Sequence, residues 1–162
     1  MYEGSDFRNF PNFRIDKFAI DAQGNFIFGN ALLRQVQKLT PGGSITTIAG
    51  TGNSGGGGDG GPALSADLSS IQDVEVDALN NIYVLANNRI RKISPGGYMT
   101  AVAGSNTFPN GGYVDANSLN AFFVGVSGLA MSPDQTALYV ADPGNSGGYG
   151  TIRKVSVITF NP

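Results

Sequence analysis

Short apolar runs separated by turn residues recur along the whole chain. Within each run, hydrophobic and polar side chains tend to alternate with a period of two, which is the pattern of a β-strand with one buried face. Dipeptides such as Gly24-Asn25 and Asn80-Asn81 separate the runs and favour tight turns. In its clearest stretch the pattern predicts four strands, over residues 74–77, 82–86, 89–94 and 98–103.

No segment requires an α-helix. Only residues 31–39 and 62–70 have a composition compatible with one. The first of these segments corresponds to residues 89–94 when the chain is aligned with itself, so we predict a strand there. The pattern therefore predicts an all-β protein.

An internal repeat organises the chain. When the sequence is shifted by 56 positions, residues 18–28 align with residues 74–84, and a third copy follows at residues 129–140. A second block repeats in the same order, since residues 38–50 match residues 92–104. Two independent blocks that recur together indicate a repeat protein. We delimit the repeats approximately at residues 13–61, 62–115 and 116–162.

The repeated motifs resemble those of the NHL repeat family. The resemblance covers nearly the whole chain and implies β-propeller blades of four antiparallel strands each, about three blades in all, or half of a six-bladed propeller. The motifs that carry it are Asn81-Ile82-Tyr83-Val84, Arg89-Ile90-Arg91-Lys92-Ile93-Ser94-Pro95-Gly96-Gly97, Thr47-Ile48-Ala49-Gly50-Thr51-Gly52, Asp59-Gly60-Gly61-Pro62-Ala63, Leu138-Tyr139-Val140-Ala141-Asp142 and Ile152-Arg153-Lys154.

Half a ring would leave one apolar sheet face uncovered at each end, because each blade buries its faces against its neighbours. Three completions are open. Two copies can join head to tail into a six-bladed ring, a longer chain can supply the remaining blades, or half-rings can stack into a filament. In each case the end faces are assembly surfaces.

Composition limits the available chemistry. The 162 residues include no Cys, His or Trp, which excludes disulfides, thiolate or imidazole metal sites and nucleophile–histidine pairs. We therefore expect no catalytic residue, no metal and no cofactor. Glu75 is the only Glu on an aligned strand, and the spacing of acids places no second acid beside it.

The charge balance argues against nucleic acid and anionic membranes as partners. Ten basic residues against 12 acidic ones give a net charge of −2, which provides no general attraction to nucleic acid or to an anionic membrane. No apolar run is long enough to span a membrane. The lack of cysteine is compatible with the cytoplasm, but the long Gly-rich insertions and low charge favour an extracellular or cell-surface location.

Basic residues recur on the third strand of the later repeats. Arg89, Arg91 and Arg153 are candidates for a partner-binding basic band. The sequence favours the alternative that these side chains alternate outward into solvent and pair with aspartates of neighbouring strands, because too few basic residues fall on each face. The aspartates concerned are Asp21, Asp77 and Asp142.

These three aspartates also suggest a metal site, since hard cations prefer carboxylate oxygens. Asp21 and Asp77 precede a turn whereas Asp142 follows a strand, so the three do not form one equivalent ring. We therefore predict that they cap turns by accepting hydrogen bonds from backbone amides.

Gly-rich segments form the remaining candidate sites. Residues 50–61 lack the Lys-Ser/Thr pair of a phosphate-binding loop, so we predict a flexible connection between blades. The corresponding residues 104–115 add Phe108 and Tyr113, and residues 144–150 add Tyr149. Aromatic residues on surface loops are candidate partner-binding residues.

The sequence thus predicts a non-enzymatic structural or protein-interaction module. It assembles through exposed blade faces and Gly-rich aromatic loops, and its partner is a protein, either itself or the remaining blades of a larger propeller. The alternative is a sensor domain that binds a small ligand or a glycan in a central channel. RNA binding is the least favoured function, because it would require a more basic surface.

Overall fold

The structure, a computed structural model, describes residues 15–105, 119–143 and 150–157, without the side chain of Asp16. These residues form three antiparallel sheets. Sheet 1 contains β1 (Ile15–Ile20), β2 (Phe26–Asn30), β3 (Gln35–Leu39) and β4 (Ile45–Ala49). Sheet 2 contains β5 (Ile71–Val76), β6 (Ile82–Ala86), β7 (Arg89–Ile93) and β8 (Met99–Ala103). Sheet 3 contains β9 (Gly128–Met131), β10 (Ala137–Asp142) and β11 (Thr151–Ser156).

Each strand pairs with the next strand in the chain, so every sheet is a simple meander. The all-β prediction is confirmed: the described ranges contain no α-helix, and a single 3₁₀ turn at Ala63–Ser65 lies in the second helix-compatible segment. The first such segment is a strand only over Gln35–Leu39, because residues 31–34 form the turn that leads into it.

Aspartates cap the turn between the first two strands of sheets 1 and 2, as predicted. Asp21 Oδ1 accepts hydrogen bonds from the backbone N–H of Gln23 and of Asn25, both at 2.9 Å, and the Asn25 amide donates to Oδ2 at 2.8 Å. Asp77 accepts the equivalent three bonds in sheet 2. The pKa of Asp21 is raised by partial burial, but these hydrogen bonds outweigh that effect and hold the pKa below its ordinary value.

The same turns connect neighbouring sheets. The backbone N–H of Ala22 donates to Asn80 Oδ1 at 3.4 Å, and the N–H of Ala78 donates to Gln135 Oε1 at 2.7 Å. In each link, the second residue of one turn reaches the fourth residue of the next turn. Asn80 and Gln135 both have positive φ, of 60° and 58°, a left-handed backbone conformation that is uncommon outside glycine.

Two hydrophobic clusters hold the sheets together. One lies between sheets 1 and 2 and includes Ile27, Val36, Val74 and Val84. The other lies between sheets 2 and 3 and includes Tyr83, Leu85, Ile90, Leu138, Val140 and Val155. Sheet 2 therefore has both faces buried, because alternate residues of each strand point to opposite sides. The first strands, β1, β5 and β9, lie next to one another.

The junction between sheets 1 and 2 requires a glycine. A β-carbon built at Gly29 would overlap the Ile71 Cγ2 methyl and lie 3.1 Å from Ile71 Cβ. We expect Gly29→Ala to lower the free energy of unfolding by about 1–3 kcal/mol, because it overpacks this contact. Gly57→Ala is the control, since nothing lies within 4 Å of its added methyl. Urea denaturation measures both, and equal stability of the two variants would contradict the packing described.

Candidate interaction surfaces

Residues 50–61 are fastened to sheet 2 by a buried arginine. Arg91 is almost completely buried on the face of sheet 2 that is turned towards sheet 1. Its guanidinium donates to Asp59 Oδ1 at 2.8 Å, to the Asp67 carbonyl at 2.9 Å and to the Gly57 carbonyl at 2.8 Å. One side chain thereby binds both the Gly-rich segment and the strand entry that follows it.

Arg89 extends the same cluster. It donates to Asp59 Oδ2 at 3.0 Å and to the Gly56 carbonyl at 3.0 Å, so one carboxylate receives both arginines. Gly58 has φ of 93° and approaches Ala66 so closely that no β-carbon would fit. The prediction that residues 50–61 act as a flexible connection is therefore wrong. Glycine here permits close approach and positive φ, and ion pairs hold the segment in place.

Arg153 occupies the equivalent position in sheet 3, since β11 pairs with β10 as β7 pairs with β6. It donates to the Phe122 carbonyl at 2.7 Å and to Asp142 Oδ2 at 3.3 Å, and its guanidinium lies 4.5 Å from the centre of the Phe123 ring. The buried Asp142 also accepts from the Val124 N–H at 3.1 Å. Asp142 therefore holds a loop and an arginine; residues 144–149, whose amides it was predicted to cap, lie outside the described residues, so that role stays a prediction.

The sequence expectation for the arginines is wrong in its geometry. Arg89, Arg91 and Arg153 point into the interior and are buried, whereas outward, solvated side chains were expected. Only Arg153 pairs with one of the aspartates named for it; Arg89 and Arg91 pair with Asp59. The spacing of residues along a strand shows which side chains share a face of the sheet, but not which face is buried. Here the segments that connect the sheets cover the face on which the three arginines lie.

The aromatic residues predicted to bind a partner belong to the Gly-rich segments 104–115 and 144–150. Phe108, Tyr113 and Tyr149 fall outside the described residues. Their assignment as partner-binding residues remains a prediction. Arg89, Arg91 and Arg153 are 8%, 1% and 9% exposed, and their assignment as partner-binding residues likewise remains a prediction.

The arginine cluster gives a test of the fold. Arg91→Met keeps an apolar stem but removes one of the two arginines that pair with Asp59 and the guanidinium donors to the Gly57 and Asp67 carbonyls, so we expect the free energy of unfolding to fall by about 1–3 kcal/mol. Residues 50–61 should become accessible to proteases at the same time. Lys92→Met, one residue further and only partly buried, should behave like the wild type in denaturation and proteolysis. Wild-type stability of Arg91→Met would show that the cluster is dispensable.

The first strands are linked by a buried acid. Asp73 Oδ2 accepts a hydrogen bond of 2.9 Å from the backbone N–H of Leu129, which lies on β9. The same oxygen lies 3.9 Å from Nζ of Lys17 on β1. Asp73 therefore contacts all three sheets. Glu75 lies two residues along the same strand, so the expectation that no second acid accompanies Glu75 is wrong. Burial, and next the charge of Asp73, raise the pKa of Glu75, whereas Lys17 lowers it.

This raised pKa predicts a pH effect. A carboxyl group whose pKa is higher in the folded state binds more protons in the folded protein than in the unfolded chain. Its contribution therefore lowers the stability of the protein as the pH rises above 4.5, the ordinary pKa of a Glu side chain. We expect Glu75→Gln to be more stable than the wild type at pH 7 and to lose this advantage below pH 4. Thermal denaturation of both proteins across this pH range measures the difference, and a constant difference at all pH values would contradict the assignment.

The two outermost sheet faces differ from the inner ones in exposure. On β1, Phe18 is 57% exposed and Ile20 is 56% exposed, and the Phe18 and Phe26 rings lie 5.6 Å apart. On the outer face of sheet 3, Tyr139 is 39% exposed and Ile152 is 71% exposed. The exposed part of the sheet 1 face is confined to the β1 side, since Phe28 and Leu39 are buried.

Membrane-spanning helices and metal-binding clusters are both absent from the described residues. No helix in residues 15–105, 119–143 and 150–157 is long and apolar enough to cross a membrane. Over the same residues, no group of three or more acidic, histidine or cysteine side chains is arranged to hold a metal ion.

Comparison with solved structures identifies the fold. A structural genomics protein of unknown function from Bacteroides thetaiotaomicron has a TM-score of 0.60 and 18% identity over 91% of this chain and 38% of its own. An auxiliary nutrient binding protein from Bacteroides ovatus has a TM-score of 0.60 and 14% identity over 88% and 34%. The extracellular domain of a B. thetaiotaomicron hybrid two component system has a TM-score of 0.54 and 16% identity over 96% and 18%.

These neighbours are β-propeller-like, so the sheets of this chain have the arrangement of propeller blades. At these identities the similarity shows the fold alone. The chain spans 38% or less of the length of each of the three structures. No protein-family model and no curated protein sequence matches the chain significantly.

Proposed function

We propose that this protein is a non-enzymatic binding module, built from NHL-like blades, whose two outer sheet faces bind further blades of the same kind. A second copy supplies these blades, and two half-rings close into a six-bladed propeller. The observation that carries the proposal is the exposure of apolar residues on the end faces at positions that are buried in the middle sheet.

The comparison of equivalent positions is direct because the strand registers match. Tyr139 pairs with Lys154 as Tyr83 pairs with Lys92, and Ile152 corresponds to Ile90. Tyr83 is 2% exposed and Ile90 is 0% exposed, since sheet 3 covers them. The outer face of sheet 3 thus repeats a blade-binding face that has no cover within the described residues.

The opposite end is complementary. Phe18 on β1 occupies the position of Val74, which is buried against sheet 1. Neighbouring sheets meet mainly through their first strands, and Phe18 and Ile20 lie on such a strand. An exposed apolar surface of this kind is typical of a protein-binding face. Docking β1 of one copy against β9 of another would therefore reproduce the internal junctions.

The rim links between turns support the same pairing. Each internal link joins the N–H of the second turn residue to a side chain at the fourth position of the next turn. In sheet 3 the second turn residue is Pro133, which has no N–H, and in sheet 1 the fourth is Gly24, which has no side chain. The donor and the acceptor are thus absent together at the two ends, so a head-to-tail junction leaves neither one unsatisfied.

The non-enzymatic part of the proposal is supported by the chain's lack of His and Cys. The absence of nucleic-acid binding is supported by the net charge of −2 and by the burial of three arginines. An extracellular location is proposed from the extracellular domain among its structural neighbours. A small ligand remains compatible with the fold, because another neighbour is a nutrient binding protein.

Assembly is tested by the mass of the particle. We expect sedimentation equilibrium of the 16.8 kDa chain to give a species of twice that mass. Ile152→Glu places a charge in both junctions of the ring and should weaken the dimer by about 100-fold or more, as for a central interface residue.

Leu79→Glu is the matched control, because Leu79 is similarly exposed but lies in a turn away from both end faces. It should leave the dimer intact. A folded wild-type monomer at high micromolar concentration would refute the proposal. Equal weakening by the two substitutions would place the interface elsewhere.

A further inference from the structure

A cleft of about 570 Å³ opens between sheets 1 and 2, at the rim where the aspartate-capped turns lie. Its volume is in the range of small-molecule binding sites. Ile27, Ile48, Ile82 and Ile93 provide apolar walls, and Lys38 and Gln23 provide polar groups. Such a mixture of apolar walls and a few polar groups is usual for a ligand pocket.

A difference between equivalent positions lies at the cleft. Ile27 pairs with Lys38 across sheet 1, at the register position where Tyr83 pairs with Lys92 across sheet 2. The Tyr83 ring fills the corresponding region beside its aspartate, and its hydroxyl donates to Asp77 Oδ2 at 3.2 Å. Isoleucine is shorter and has no hydroxyl, so the space beside Asp21 stays open.

Lys38 is the cationic group of this cleft. It is partly buried, and among the described residues its ammonium has no hydrogen-bond partner and no carboxylate within ion-pair distance. Asp21 also lines the cleft and is attracted to Lys38 through their opposite charges, but its oxygens are held by three hydrogen bonds from its own turn and lie beyond ion-pair distance of the ammonium. A partly desolvated ammonium beside apolar walls is stabilised by an anion that brings its own apolar body.

We propose that this cleft binds a small organic carboxylate with an apolar body, whose carboxylate pairs with Lys38 Nζ and whose body packs against the isoleucines. The site is independent of the assembly proposed above, because it is lined by sheets 1 and 2 and the connection between them and involves neither end face. The two proposals can therefore fail separately.

The experiment uses 4-phenylbutyrate as the probe and its neutral amide as the matched control ligand, with binding measured by saturation-transfer NMR and by titration calorimetry. We expect the acid to bind the wild type and the amide to bind about tenfold more weakly or not at all, a difference that a single charged hydrogen bond provides. Lys38→Met should reduce the affinity for the acid by a similar factor.

Two further variants separate the cleft from general effects. Lys92→Met removes the equivalent lysine beside Tyr83 and should bind the acid like the wild type. Ile27→Tyr reproduces the sheet 2 arrangement, fills the space and should abolish binding. Its thermal denaturation midpoint, compared with that of the wild type, checks that it folds.

The outcomes are distinct. Loss of binding in Lys38→Met and retention in Lys92→Met support the proposal even if Ile27→Tyr fails to fold. The proposal is overturned if the acid does not bind the wild type at millimolar concentration, if acid and amide bind equally, or if Lys38→Met binds as tightly as the wild type.

Discussion

Each sheet in this protein has two faces that need to be covered, and most of the architecture depends on this requirement. Successive side chains of a strand point to opposite faces of the sheet, so a strand that is buried on both faces needs apolar residues at consecutive positions. Strand β6 of sheet 2 is an example. Burial of apolar surface is the dominant favourable contribution to folding. Sheet 2 satisfies the requirement within the chain, because one cluster covers each of its faces. Sheets 1 and 3 each have one face with exposed apolar residues.

The arginine clusters follow from the same requirement. Neighbouring sheets contact each other mainly through their first strands, and connecting segments pack against the buried arginines of the third strands. Arg91 and Arg153 occupy equivalent strand positions: Arg91 binds its segment through two carbonyls and the Asp59 carboxylate, and Arg153 binds its segment through the Phe122 carbonyl. Sheet 1 has Gln37 at this position, hydrogen-bonded to Asn30 at 3.1 Å. A buried cation is tolerated where several acceptors surround it, and a Gly-rich backbone supplies carbonyls at close range.

Departures from the repeat identify the functional candidates. Where sheets 1 and 2 share residues, the side chains stabilise the same turns, as Asp21 and Asp77 do. Where the sheets have different residues at equivalent positions, the difference creates a local feature that the other sheets lack. Isoleucine at position 27, where sheet 2 has Tyr83, lines a cleft, and Pro133 and Gly24 lack the donor and the side-chain acceptor of a rim link. Both features are consistent with a module whose purpose is binding.

The amino-acid sequence by itself determined the strands, their order and the turns. Local alternation and turn chemistry depend on neighbours within a few residues, which is why β6, β7 and β8 and the caps at Asp21 and Asp77 were predicted correctly. The first strand of sheet 2 was predicted at residues 74–77 but begins at Ile71 and ends at Val76. Only the tertiary structure decided which face each side chain occupies. Arg91 meets Asp59 across 32 positions, and Asp73 meets Leu129 across 56, contacts that no local pattern encodes. The cleft at Lys38 likewise exists only because two sheets meet there, and its size depends on how one side chain packs against the neighbouring sheet.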